Sequence, residues 1–169
     1  GVSVDNIKVS SRAHLVLPYH KVIDTLSEEK KGKDKIGTTK KGIGPCYMDK
    51  VERSGIRICD FIDPSVFKEK LKNQIENKNK IITAIYGGEA LDFEAVYEEY
   101  SEYAKVIKNY VEDTTVIVND AVEANEKVLF EGAQGALLDI DLGTYPYVTS
   151  SHPTAGGFPV GAGIGPNKI

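Results

Sequence analysis

Two helical periods separated by a pair of glycines constrain this chain more than any other feature. From Asp63-Pro64-Ser65 to about Tyr86 the apolar set is Val66, Leu71, Ile75, Ile81, Ile82 and Ile85, and Gly87-Gly88 stops the pattern. From Asp92 to about Val111, residues Phe93, Val96, Tyr97, Tyr100, Tyr103, Ala104 and Ile107 return at three- and four-residue steps. Two long amphipathic helices joined by so short a turn predict an antiparallel hairpin. Its tyrosines fall on the apolar stripe, so they are expected to pack in a core rather than to stack on bases.

Shorter signals flank the hairpin. Ile7 to Ser10 alternates like a strand, and the apolar run Leu15-Val16-Leu17 meets Pro18, which suits the first position of a helix carrying Val22, Ile23 and Leu26 on one face. That helix should end in the charged stretch from Glu28 to Lys35. A second helix is expected from Pro45 to about Gly55. Past Asp113, Thr114-Thr115 should cap a helix to about Asn125, and Lys127-Val128-Leu129-Phe130-Glu131 reads as a buried strand leading into Gly132-Ala133-Gln134-Gly135. The rest, to Ile169, is rich in glycine, proline, serine and threonine and has little period. The expected division is a mainly helical part, 1–113, and a strand-plus-loops part, 114–169.

One strand cannot make a sheet, because its backbone groups need partners on both sides. The fold class expected is therefore α/β, with a helix-rich insertion and part of a larger α/β core. The chain reads as a fragment, or as one that completes its sheet with another chain. At 169 residues it could bury roughly 70% of its extended surface, yet a core cut in this way is expected to be marginal alone.

Charge and composition exclude several functions. Lysine plus arginine less aspartate plus glutamate gives 21 − 25 = −4, which disfavours nucleic acid and acidic membranes as partners. No apolar run approaches the ~18 residues that would span a bilayer, and the opening residues lack a signal-peptide pattern. A cytoplasmic protein is expected. Cys46 and Cys59 show neither disulfide nor zinc spacing and read as buried free thiols.

The loop Gly37-Thr38-Thr39-Lys40-Lys41-Gly42-Ile43-Gly44-Pro45 offers hydroxyls, ammonium groups and amides freed by glycine conformations, all of them partners for phosphate oxygens. It is no Walker A loop, and Gly161-Ala162-Gly163-Ile164-Gly165 is not a dinucleotide fingerprint. Lys50, Arg53 and Arg57 form a basic edge, where a guanidinium can grip phosphate bidentately. Gln134 lies one loop beyond the expected strand, where α/β sheets present ligand-binding groups. Glu131, Asp139 and Asp141 lack a ligand spacing and are expected to cap or pair, so no metal is assigned to them. The hydroxyls from Thr144 to Ser151 suit turn chemistry. His14, His20 and His152 are expected to be structural.

Four segments carry a more specific signal. Ser11-Arg12-Ala13-His14 with Pro18-Tyr19-His20, GTTKKGIGPCY (37–47), FEGAQGALLDIDLGTYPYVTSS (130–151) and TAGG (154–157) together closely resemble adenylosuccinate synthetase. The resemblance runs over nearly the whole chain. It implies a GTP- and magnesium-dependent ligation of L-aspartate to IMP, through phosphorylation of the IMP 6-oxygen and displacement of that phosphate by the amine. Carried over residue by residue, it implies that Thr39, with Thr38 beside it, holds the IMP 5′-phosphate and that Thr149 is a second IMP threonine. It further implies that Arg53 reaches across a homodimer to the neighbour's IMP. Gln134 would sit at the 6-position of the base as the catalytic residue. The amino-terminal phosphate loop, the aspartate-binding loop, the guanine-recognition segment and the magnesium ligands of that family are absent, so part of an IMP site and no GTP site is expected. The rival reading is a noncatalytic nucleotide-binding or dimerisation module.

Overall fold

The computed structural model describes residues 3–168. The chain divides into two compact units, 1–111 and 112–169.

In the first unit, β1 (Val9–Ser10) pairs with β2 (Val111–Glu112), whose first residue closes the unit. Pro18 opens α1 (Pro18–Lys31) as expected from its fixed φ and missing N–H. The helix α2 (Ile43–Glu52) ends when Arg53 turns into the left-handed region, φ +69°, two residues before the Gly55 stop read from sequence. A one-turn α3 (Ile58–Phe61) leads into α4 (Pro64–Lys80). The Asp63 carboxylate accepts the Ser65 and Val66 amides, so the N-terminus of α4 is capped by an acceptor beside its positive end.

The helix continues beyond Lys80 as a single π turn, Ile81–Ile85, before the glycine pair. Then α5 (Phe93–Ile107) returns along α4. Asn79 fixes that reversal, donating to the Leu91 carbonyl and accepting from the Leu91 amide, both at 2.8 Å. Leu17, Tyr19, Ile56, Ile58, Phe61, Phe67, Leu71, Ile75, Ile82 and Val96 make one buried cluster, with Tyr97 and Tyr100 packed against it. Phe61 meets Phe67 edge-on at 4.9 Å, and Tyr97 stacks on Phe67 at 5.8 Å. The tyrosine stripe is thus core packing down to Tyr100, whereas Tyr103 is exposed and donates to Glu99. Ile85 is exposed as well, because the π turn rotates it out of the α4 register.

The second unit holds α6 (Thr114–Glu123) and the short α7 (Gly157–Ala162). The residue that caps α6 is Asp113, which accepts the Thr115 amide, rather than the threonines themselves. Asn119 ties α6 to α7 by donating to Gly163 O at 3.1 Å, and Gly163, at φ +72°, comes so close to Thr115 that a side chain would collide with it. Phe130 stacks on Phe158.

Three expectations need correction. Lys127–Glu131 forms no strand among the described residues, and Leu129 is 88% exposed. The segment joins no ladder among the described residues, and without a ladder an apolar run has no reason to extend as sheet. The tail past Gly135 is also less irregular than its composition suggests, containing α7 and two 3-10 turns, Ala136–Leu138 and Pro166–Lys168. Finally, Cys46 is a buried thiol but Cys59 is exposed, since Cys59 lies on the outer side of α3, between the buried Ile58 and Phe61.

Candidate functional site

A polar stripe on α1 organises the 37–42 loop. His20, Asp24 and Glu28 recur every four residues, one above another on the helix, and all three are buried. Buried polar groups persist only with partners, and each of these has them. Asp24 Oδ1 accepts from the Thr38 hydroxyl at 2.8 Å, and Asp24 Oδ2 accepts from the Gly42 amide at 2.9 Å. Glu28 Oε2 accepts from the Gly37 amide at 2.9 Å, while Glu28 Oε1 pairs with Lys31 at 2.8 Å. The Lys31 bond, and the backbone bonds after it, hold the Glu28 carboxyl below the usual carboxylate range although burial opposes this.

The amides of Gly37 and Gly42 are therefore not available to a phosphate, contrary to the sequence reading that glycine conformations leave them free. What remains at the loop's tip is Thr39, exposed and with no hydrogen-bond partner among the described residues, followed by Lys40, whose ammonium pairs with Glu29 at 3.4 Å, and by Lys41. Gly42 is required where it stands. Its φ is +78°, and a Cβ would lie 2.8 Å from the His20 Cβ and from the backbone of His20 and Lys21.

The same stripe fixes α2. His20 Nδ1 accepts the Leu17 amide at 2.9 Å, which leaves the proton on Nε2 to donate to Asp49 Oδ2 at 3.0 Å. Lys78 of α4 donates to the other Asp49 oxygen. Burial alone would raise the Asp49 pKa, but the His20 and Lys78 bonds outweigh it and the carboxyl is held below its ordinary value. Arg53 follows Asp49 by one turn, exposed at the end of α2. His20 is structural, as the sequence suggested.

In the second unit one carboxylate again organises a loop. Asp139, fully buried, accepts the amides of Asp141 at 3.0 Å and Leu142 at 3.1 Å, with His152 Nδ1 at 3.3 Å. Its capping and pairing roles match expectation. Backbone bonds tie the same loop shut, from Thr149 N to Leu138 O at 2.9 Å and from Ile140 N to Ser151 O at 3.2 Å. They present the half-buried Thr149 at the loop's edge, and Tyr145–Pro146 within it is cis. Gln134 is exposed in the turn ahead of Ala136–Leu138. Thr38, Thr39 and Arg53 thus belong to the first unit, and Gln134 and Thr149 to the second.

A family model described as adenylosuccinate synthetase matches residues 1–169. The chain belongs to the adenylosuccinate synthetase family. The adenylosuccinate synthetase of Clostridioides difficile (strain 630) is 68% identical over 169 residues, which are 99% of this chain and 39% of that protein. That of Alkaliphilus metalliredigens (strain QYMF) is 63% identical over all of this chain and 40% of its own length. A structure titled fully ligated adenylosuccinate synthetase from Plasmodium falciparum superposes with a TM-score of 0.90 at 39% identity, over 98% of this chain and 39% of that one. The chain spans about 40% of the length of the curated relatives it matches. A helix-rich fragment of a larger fold is therefore what the sequence encodes.

Hydropathy marks only the Val22, Ile23 and Leu26 face of α1, and the signal of the polar face is the four-residue repeat His20, Asp24, Glu28. Acidic residues at that spacing ordinarily mark a solvated face. Only the packing of the 37–42 loop turns them inward.

Proposed function

We propose that these residues supply part of the IMP site of a GTP-dependent ligase that joins L-aspartate to IMP. GTP first transfers its terminal phosphoryl group to the 6-oxygen of IMP, releasing GDP. The aspartate amine then attacks C6, the C6–O bond breaks, and phosphate leaves with the electron pair while the nitrogen loses a proton. Phosphorylation is what makes the second step feasible, because an amide oxygen is a poor leaving group and phosphate a good one. Phosphoryl transfer depends chiefly on position and charge stabilisation.

In this reading Thr39 gives its hydroxyl to the 5′-phosphate with Thr38 beside it, and Thr149 contributes a second hydroxyl. Gln134 donates its amide to the 6-oxygen as negative charge develops there. Arg53 extends to the IMP of the neighbouring subunit in a homodimer. The magnesium ion that accompanies GTP is assigned to parts of the enzyme outside these residues, among which no group of three or more His, Cys, Asp and Glu side chains is gathered. No described helix is long and apolar enough to cross a membrane, which is compatible with a cytoplasmic enzyme.

The observation that carries the reading is the state of Thr39. Both ends of its loop are bonded to α1 carboxylates while its own hydroxyl stays unengaged at the tip. Titration of the complete protein with IMP tests it. Binding that Thr39→Ala weakens by about 10- to 100-fold, the worth of one charge-assisted hydrogen bond, is expected. Unchanged binding would refute the role of Thr39, and no IMP binding at all would leave a noncatalytic module.

A further inference from the structure

We infer that Asp24 is a positioning residue for the substrate phosphate, a staple that sets the curvature of the loop bearing Thr39. The inference rests on the IMP reading and deepens it. Its two carboxylate oxygens bond opposite ends of a five-residue stretch, Oδ1 with the Thr38 hydroxyl and Oδ2 with the Gly42 amide. Thr39, Lys40 and Lys41 are the residues forced outward between those anchors. Glu28 holds the residue before them through the Gly37 amide, so the loop is pinned from behind at three points by one face of a 14-residue helix.

Electrostatics makes this arrangement informative. A carboxylate buried behind a loop that receives a phosphate repels that phosphate, and in a poorly screened interior the repulsion is felt more strongly than in water. Its presence there opposes binding as a charge. It assists binding only as a shape, by holding the Thr39 hydroxyl and Lys41 where the anion arrives, while Lys40 is paired with Glu29. Geometry of this kind matters at short range, since a displacement of about 1 Å can reduce rate or capture about a hundredfold. Thr38 takes a defined part in the staple. Its hydroxyl proton is given to Asp24, so it acts on the phosphate through Thr39 more than by contact of its own.

The two roles have opposite signs in an experiment. Asp24→Asn removes the charge and one acceptor, and Thr38→Val removes the donor at an exposed position. Both are made in the complete enzyme, together with the double variant and Thr38→Ser, which keeps the hydroxyl. Positioning predicts that the KM for IMP rises about 10- to 100-fold in either single variant, with the KM values for GTP and aspartate unchanged. It also predicts that the double variant is no worse than the worse single one and that Thr38→Ser stays near wild type. A KM for IMP that falls in Asp24→Asn would show that Asp24 acts only as a repelling charge. Three KM values that rise together with a lowered melting temperature would show a general structural role, and either result overturns the inference. Wild-type enzyme that fails to bind IMP would instead overturn the functional reading beneath it.

Discussion

A carboxamide that meets charge formed during a reaction and a guanidinium that meets charge present from the start leave different kinetic signatures. The proposed role of Gln134 is of the first kind, so Gln134→Ala should lower kcat about a hundredfold or more, as removal of one oxyanion donor does elsewhere, while the KM for IMP moves little. A normal turnover number would remove Gln134 from the reaction. The role proposed for Arg53, exposed at the end of α2, is of the second kind. Arg53→Ala should weaken IMP capture by about 2 to 3 kcal/mol if a charge-assisted hydrogen bond is lost, and an unchanged KM for IMP would argue against it. The buried Asp49 carries a further expectation, for pH. Its carboxyl is held below the ordinary value in the folded state, so it contributes stability above its unfolded pKa that is lost as pH falls through the folded one. Urea unfolding from pH 7 down to pH 3 should show a decline in stability that is shallower in Asp49→Asn, and parallel profiles would contradict this.

Elements decide how those residues are held. At Gly42 the positive φ and the contact with α1 coincide, so Gly42→Ala should destabilise by about 1 to 3 kcal/mol and also raise the KM for IMP, because the strained residue is one anchor of the Thr39 loop. Phe67→Ala should destabilise more, by about 3 to 5 kcal/mol, since the ring lies at the centre of the α3–α4–α5 core. The KM for IMP should not follow where that variant remains folded. Melting temperature and KM measured together separate the two. The hairpin and the starts of α1 and α4 were legible in the sequence because local rules, a 3.6-residue period and proline or aspartate at a first turn, decide them. The π turn after Lys80 and the inward-facing carboxylates of α1 were not, because tertiary packing decides those. The failure of Lys127–Glu131 to form a strand has the same origin, as its β-like run has no neighbour among these residues to satisfy its backbone.

The whole molecule is larger than this chain, which spans about 40% of its curated relatives. The four motif segments made family membership readable from sequence. The 169-residue chain alone is expected to show no GTP turnover in a phosphate-release assay, and measurable turnover would contradict the assignment of the GTP site to other parts of the enzyme. The most direct measurement is a crystal structure of the complete enzyme with IMP bound. The account predicts the hydroxyls of Thr39 and Thr149 within about 3 Å of one IMP molecule, with Asp24 still bonded to Thr38 and Gly42 behind the loop. An IMP molecule that touches neither threonine would contradict it.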